Sequence, residues 1–488
     1  MNLVDRTHGA LDRAMQVYAG TEHSDRLAAT RARLDEPLRV AIAGRVKAGK
    51  STLLNALVGE RLAPTDAGEC TRIVTWYRDG HTYEVTGYPR DGGPRQLHFN
   101  RDDGAIEVDL DGLAPLDVDR LVVTWPSQSL RTSTLIDTPG IGSLSEHVAK
   151  RTWELLADDD ETPADAVLYL MKHLHPQDVE FLQAFHDTEV SQPNPVNAIG
   201  VLSRADEIGA GRIDTMASAR QIAGRLRATA SVRRVVQTVV PVAGLLAETA
   251  ATLTEFEVRC LRKIADRSAR EAEDLLLSAD RFVEQMPELG LTSIERQQLL
   301  DRFGVFGVRL ASILLRRGVV STATELAKEL TERSGLNDLR EVLASLFFER
   351  RSILKCRSAL IALDALVHSD VRPGSDTIAA EVEEIVASAH PFNELRVLSS
   401  VRAGWVSGKP DVLEDLEHVI GGMGSSVASR LRLPADSDPA TLTGAAGAAL
   451  ARWQQRAENP LTSHELAIAA RVAVRSCEGM LAGTGESR

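Results

Sequence analysis

The stretch Gly44-Arg45-Val46-Lys47-Ala48-Gly49-Lys50-Ser51 decides how this chain is read. It has the spacing of a phosphate-binding P-loop, and both flanks agree with that. Leu38-Arg39-Val40-Ala41-Ile42-Ala43 predicts a buried strand, and Thr52-Leu53-Leu54-Asn55-Ala56-Leu57 predicts the first turns of a helix. Glycine at this turn lets backbone N–H groups face a polyphosphate at a helix N-terminus, where the dipole favours negative charge. Lys50 is then expected on the β- and γ-phosphates and the Ser51 hydroxyl on Mg²⁺. Gly44, Lys47, Ala48, Gly49, Lys50, Ser51 and Thr52 are the expected nucleotide contacts of this segment.

Three later segments choose among nucleotides. Leu135-Ile136-Asp137-Thr138-Pro139-Gly140 is a strand ending in an Asp-x-x-Gly turn. It places Asp137 to hold Mg²⁺ through its water shell and the Gly140 N–H to sense a γ-phosphate. Between the two lies the polar loop Ala63–Arg72, with Thr65 and Thr71 as candidate metal ligands. Thr71 directly precedes the apolar run Ile73–Tyr77, where a switch threonine completes the Mg²⁺ shell and positions water. After the strand-like run Ala198–Leu202 comes Ser203-Arg204-Ala205-Asp206. Asp206 can accept from guanine N1 and N2, a donor pair adenine lacks, and Arg204 can lay its stem and guanidinium over the base. A last strand, Val235–Val242, leads into Ala243-Gly244, where a backbone N–H, that of Ala243 first, is expected at guanine O6. GTP is therefore the expected substrate.

These residues arrive in the order of the translation-factor-like GTPases, and the whole chain resembles the dynamin superfamily. The phrase Glu69-Cys70-Thr71-Arg72, the Asp-Thr-Pro-Gly turn and the helical remainder look most like bacterial dynamin-like proteins, in particular the isoniazid-inducible group of mycobacteria. The specific motifs span roughly residues 38–245. The resemblance implies Mg²⁺-dependent GTP hydrolysis coupled to membrane remodelling, with self-assembly or a related dynamin-like partner. Two departures stand out. Ser203 and Arg204 replace the usual Asn or Thr and Lys. Lys47 stands where the family commonly has Ser or Asn, which helps to organise a charge-compensating monovalent cation. The lysine either disrupts that site or supplies the charge itself, and on the second reading it joins Lys50 and Thr71 as catalytic.

At 488 residues the chain exceeds one ordinary hydrophobic core, so at least two units are expected. The fold class read from element order is an α/β GTPase domain, a mixed sheet with helices on both faces, followed by an elongated all-α bundle. The expected division is 1–36 as a helical segment packing on the bundle, 37–245 as the GTPase domain and 246–488 as the bundle. Turn signals at Asp79-Gly80, Asp91-Gly92-Gly93 and Asp103-Gly104 predict hairpins in a β-rich insertion. Capping-box spacing at Thr292–Glu295, Thr322–Glu325 and Thr462–Glu465 marks helix starts.

A formal net charge of −13 argues against general nucleic-acid binding. Cys70, Cys260, Cys356 and Cys477 are scattered without metal-like pairing, which fits a reducing compartment. No secretory signal opens the sequence and no run of about 18 apolar residues offers a span. The expectation is a cytoplasmic chain meeting anionic lipid peripherally, at the inner face of the plasma membrane. His173-x-His175 reads as a loop entering a helix rather than zinc, and Asp158–Glu161 as a solvated loop. Residues 302–357 carry eleven Arg or Lys against six Asp or Glu. Within them the corner Leu314, Leu315, Arg316, Arg317, Val319 and Val320 is the expected membrane contact at the far tip of the helical domain. Leu346–Arg351 is the second candidate.

Overall fold

The computed structural model describes residues 2–64, 73–102, 105–140, 164–172, 197–284 and 289–485, together with Asp178 and Leu182. Thr65, the phrase Glu69–Arg72, the acidic run 158–161 and the histidine pair 173/175 lie outside the described residues.

Among the described residues eleven strands run β1 Leu38–Gly44, β2 Val74–Arg78, β3 Glu84–Pro89, β4 Arg95–Leu97, β5 Phe99–Asp102, β6 Ala105–Val108, β7 Val118–Thr124, β8 Ser133–Asp137, β9 Ala166–Met171, β10 Ala198–Ser203 and β11 Val239–Val242. Nine of them form one sheet in the order β11-β10-β9-β1-β8-β2-β7-β3-β4. β1 is parallel to both β8 and β9, and β10 continues the parallel set to β11. β2 turns antiparallel against β8, so the sheet is mixed. The parallel strands are Val-, Ile- and Ala-rich because both faces are covered.

Period-2 alternation sends successive residues to opposite cores. Ala41, Ala43, Val167 and Tyr169 enter one cluster, while Val40, Ile42, Leu168 and Leu170 enter the other. The Asp91-Gly92-Gly93 turn does join a hairpin, β3 with β4. Asp79-Gly80 does not, because β7 lies between β2 and β3 in the sheet.

The remainder is mostly helical, and much of it belongs to the sheet's own cores. Residues from Val258 to Leu330 fill one cluster and residues from Leu336 to Leu354 the other. Helices Leu3–Val17 and Ser24–Arg33 share a third cluster with helices Arg351–Ser369 and Ser375–Ser388. A fourth joins helices His390–Ala403, Pro410–Val419, Pro439–Glu458 and His464–Gly485 around fully buried Trp453. Capping boxes close Thr292–Glu295 and Thr322–Glu325, and further ones start helices at Asn2, Thr254 and Ser268. The last helix begins at His464, so the hydroxyl nearest its start is Ser463 rather than Thr462, donated to by the Leu466 N–H at 3.4 Å.

The corner at 314–320 is not a distal tip. Leu314 and Val320 are buried in the cluster that covers the sheet, and Leu315 packs against it. Arg316 donates to the carbonyls of Ala265 (3.0 Å) and Ile264 (3.5 Å), capping the C-terminus of helix Glu255–Ala265. Of the six residues expected at the membrane only Arg317 and Val319 are exposed, so the six do not form one exposed apolar and basic patch. Leu346 and Phe347 are buried too, as is Arg350. No helix among the described residues is long and apolar enough to cross a membrane.

Candidate active site

Parallel α/β sheets offer ligands the crevice at the carboxyl ends of their strands. The sequence-predicted residues converge there, since β1 ends in the P-loop, β8 ends at Asp137, β10 ends at Ser203 and β11 runs into Ala243. Ala48, Gly49, Thr52, Ser203, Arg204 and Asp206 line one cleft of about 160 Å³.

The loop's shape depends on two glycines. Gly44 has φ 145°, and a Cβ there would stand 2.5 Å from the Leu170 carbonyl of β9. Gly49, at φ 91°, starts helix Lys50–Val58 in the left-handed region. Lys47 shares that region at φ 60° and is exposed, so this lysine extends from the loop without being buried in it. Arg45, unmarked by sequence reasoning, pairs with Asp178 at 3.2 Å, and the Tyr169 hydroxyl donates to the same carboxylate at 2.7 Å. Burial and that carboxylate push the Tyr169 hydroxyl's pKa up, so it stays a donor.

Lys50, Ser51 and Asp137 form the polar floor. The Lys50 ammonium donates to the carbonyls of Gly44 (3.4 Å) and Arg45 (3.3 Å). Burial pushes its pKa down and Asp137 opposes the fall. The Ser51 hydroxyl donates to Asp137 Oδ2 at 2.8 Å, while Asp137 Oδ1 is buried with no partner among the described residues. Burial raises the Asp137 pKa against the pull of Lys50 and Ser51. An orphaned carboxylate oxygen beside a hydroxyl is a hard-oxygen donor set of the kind Mg²⁺ takes, so the residues fit that ion. The turn that follows is set by contact. A Cβ on Gly140 would lie 2.6–2.8 Å from Val46, so only glycine lets the turn rest on the P-loop. Thr138 holds it from below, its hydroxyl donating to the Ile42 carbonyl at 2.9 Å.

At the base end, the Ser203 hydroxyl is buried with no partner among the described residues. Asp206 is buried, which raises its carboxyl pKa. Arg204, left-handed at φ 51°, is held by Glu207 at 2.7 Å, and Lys172 reaches the same carboxylate at 2.8 Å. Glu207 was not marked by the sequence. One expected contact fails, because the Ala243 N–H donates to the Ser334 carbonyl at 2.8 Å and is not free for a base. The next two residues, Gly244 and Leu245, line the cleft instead. They open helix Gly244–Ala251, whose first N–H groups have no intrahelical partner. Asn55 is a further missed residue. Its side chain bonds the N–H groups of Leu62 and Ala63 and the carboxylate of Glu248 (2.9 Å), pinning the chain that enters the loop toward Thr71.

The family model described as the dynamin family matches residues 40–205, from β1 to the base-reading segment. The isoniazid-induced protein IniC of Mycobacterium tuberculosis is 42% identical over 493 residues, covering 99% of both chains. The chain belongs to the dynamin family. It is a GTPase of that family, and its likeness to the isoniazid-induced group extends beyond the motif region to the helical half. The isoniazid-induced protein IniA of the same organism is 28% identical over 269 residues, 51% of this chain and 38% of that one. A bacterial dynamin-like protein of Nostoc punctiforme is 36% identical over 114 residues, 21% of this chain and 16% of its own.

Proposed function

We propose that this chain hydrolyses GTP to GDP and phosphate, and couples the reaction to binding and remodelling a membrane rich in anionic lipid. The observation that carries hydrolysis is the Lys50–Ser51–Asp137 floor beneath the P-loop, with one Asp137 oxygen lacking a partner among the described residues. Mg²⁺, when bound, would supply charge neutralisation and would be held by Ser51 and Asp137 with Thr71. Lys50 faces the β- and γ-phosphates, and the Gly140 N–H contacts the γ-phosphate from the turn resting on Val46. Thr71 positions the attacking water. Positioning and fixed charge, rather than a general base, supply the rate. Lys47 projects from the loop to add positive charge beside the phosphates. Asp206 accepts from guanine N1–H and the 2-amino group, the Arg204 stem covers the base, and an N–H of Gly244 or Leu245 meets O6.

Membership of the dynamin family supports the membrane half of this reading. Binding by one molecule is weak and assembly on one surface strengthens it. The test is flotation with vesicles of phosphatidylcholine alone and with phosphatidylserine added, with GTP turnover measured in the same samples and vesicle shape followed by electron microscopy. The expected result is salt-sensitive flotation with the anionic vesicles only, and GTP-dependent change of their shape. GTP turnover without flotation on either vesicle would overturn membrane coupling in favour of a soluble regulatory GTPase. Flotation without turnover would overturn hydrolysis.

A further inference from the structure

The helix Ser293–Arg316 is broken inside. Gly304 has φ 61° and ψ 173°, a conformation essentially closed to other residues. The break lies against the base-reading carboxylate. A Cβ placed on Gly304 would stand 3.7 Å from Asp206 Oδ2 and 3.8 Å from Leu245 Cδ2. These two residues come from the two different segments that line the base end of the cleft.

Both segments are also tied to this helix, one on each side of the break. After it, Arg309 donates to the carbonyls of Gly211, which ends the Asp206 loop, and of Leu276. Gly211 is itself left-handed at φ 67°, and a Cβ on it would sit 3.3 Å from the Phe306 nitrogen, so loop and helix meet at backbone distance. Before the break, the Thr249 hydroxyl on helix Gly244–Ala251 donates to the carbonyl of Arg302. An unbroken helix would pair that carbonyl with the N–H of Phe306. Arg302 adds its own side chain, donating to Glu257 (2.8 Å) and to the Thr252 carbonyl (3.0 Å). The carbonyl just before the break thus accepts a bond from the element that begins at Gly244.

We infer that the Ser293–Arg316 helix is the wall behind the residues that line the base site, and that Gly304 is a positioning residue which sets Asp206 against Leu245 at the spacing a guanine edge requires. This rests on Asp206 being the acceptor for guanine N1–H and the 2-amino group. An alanine at 304 cannot keep φ 61°, ψ 173°, and its methyl would touch the carboxylate. The wall would therefore move, and the bond most sensitive to carboxylate placement would weaken first.

The 2-amino group isolates that bond, because hypoxanthine lacks it and is otherwise guanine. Affinities of the full chain for GDP and IDP, measured by displacement of a fluorescent guanine nucleotide with Mg²⁺ present, give a ratio that reports Asp206 placement. Wild type is expected to favour GDP by about tenfold, the contribution of one hydrogen bond to a carboxylate. Gly304→Ala is expected to lower GDP affinity about tenfold with a smaller loss for IDP, so that the ratio falls toward one. Thr249→Val keeps the side chain's shape and frees the Arg302 carbonyl. It is expected to move the ratio the same way by less, and it decides the matter should Gly304→Ala fail to fold. Equal losses for both nucleotides, or an unchanged ratio in Gly304→Ala, would overturn the positioning role. Where the protein folds, an unchanged ratio in Thr249→Val would remove the tie to helix Gly244–Ala251. If Gly304→Ala does not fold, that unchanged ratio overturns the proposal. A wild type indifferent to the 2-amino group, with Asp206→Ala binding GDP normally, would instead refute the base reading itself.

Discussion

Lys50→Met is expected to reduce GTP turnover by about a thousandfold or more while the nucleotide-free protein melts at or above the wild-type temperature. The two halves of that result have one cause. The ammonium is buried, its nearest protein partners are two loop carbonyls at 3.3–3.4 Å, and burial pushes its pKa down despite Asp137. A base whose folded pKa lies below its unfolded value destabilises the fold while it is charged, and that penalty fades only as pH rises through the folded pKa. The fold keeps this charge at a cost because phosphate oxygens need it. Methionine fills the same space without charge, so the cost disappears along with the chemistry. Single-turnover phosphate release and a thermal melt on the same preparations check both halves. A variant that melts clearly lower than wild type would show that Lys50 also stabilises the fold.

Far from the nucleotide, Glu394→Gln is expected to destabilise the fourth cluster by about 3 kcal/mol at neutral pH. Glu394 is buried on helix His390–Ala403 and accepts from Arg430 (2.5 and 3.2 Å) and from Ser476 (2.7 Å), with His390 at 3.4 Å. Burial alone would raise its pKa, yet His390, Arg430 and Ser476 outweigh that and hold it at about 2. A carboxyl depressed in the fold contributes stability that is complete above its unfolded value of 4.5 and is lost as pH falls toward 2. Denaturant midpoints for wild type and Glu394→Gln should therefore differ most at pH 7 and converge between pH 4.5 and pH 2. A difference that stays constant across that range would mean the loss is one of packing, not of a charged pair.

The phosphate half of the site was legible in the sequence because its geometry is local. The loop glycines, the lysine, the serine and the Asp-x-x-Gly turn each act through a few neighbouring residues, and the strands before them are continuous apolar runs. Features set by distant contacts were not legible. Ala243 lost its expected role to the carbonyl of Ser334, a partner supplied by a turn between two helices far along the chain. The corner at Leu314–Val320 has the composition of a membrane patch, and local pattern cannot reveal that helix Glu255–Ala265 and the sheet's cluster cover it. Phe303, Phe306, Leu310 and Ile313 sit at helical spacing, a pattern that by itself predicts one continuous amphipathic helix. Gly304 and Gly307 within it were the available sign of a break. Asp79-Gly80 resembled a hairpin turn until β7 proved to lie between the two strands it joins.

The central claim is that a guanine nucleotide is selected by the carboxylate of Asp206 and cleaved over the Lys50–Ser51–Asp137 floor. Its most direct test is phosphate release from GTP, ATP and XTP by wild type and by Asp206→Asn. Guanine offers the carboxylate two donors and adenine none, so wild type is expected to favour GTP over ATP by at least about a hundredfold in kcat/KM. Xanthine carries a carbonyl where guanine carries its 2-amino group, so the carboxamide of Asp206→Asn should move the preference from GTP to XTP while the phosphate chemistry proceeds. Equal use of GTP and ATP by wild type, or an unchanged GTP preference in Asp206→Asn, would contradict the account.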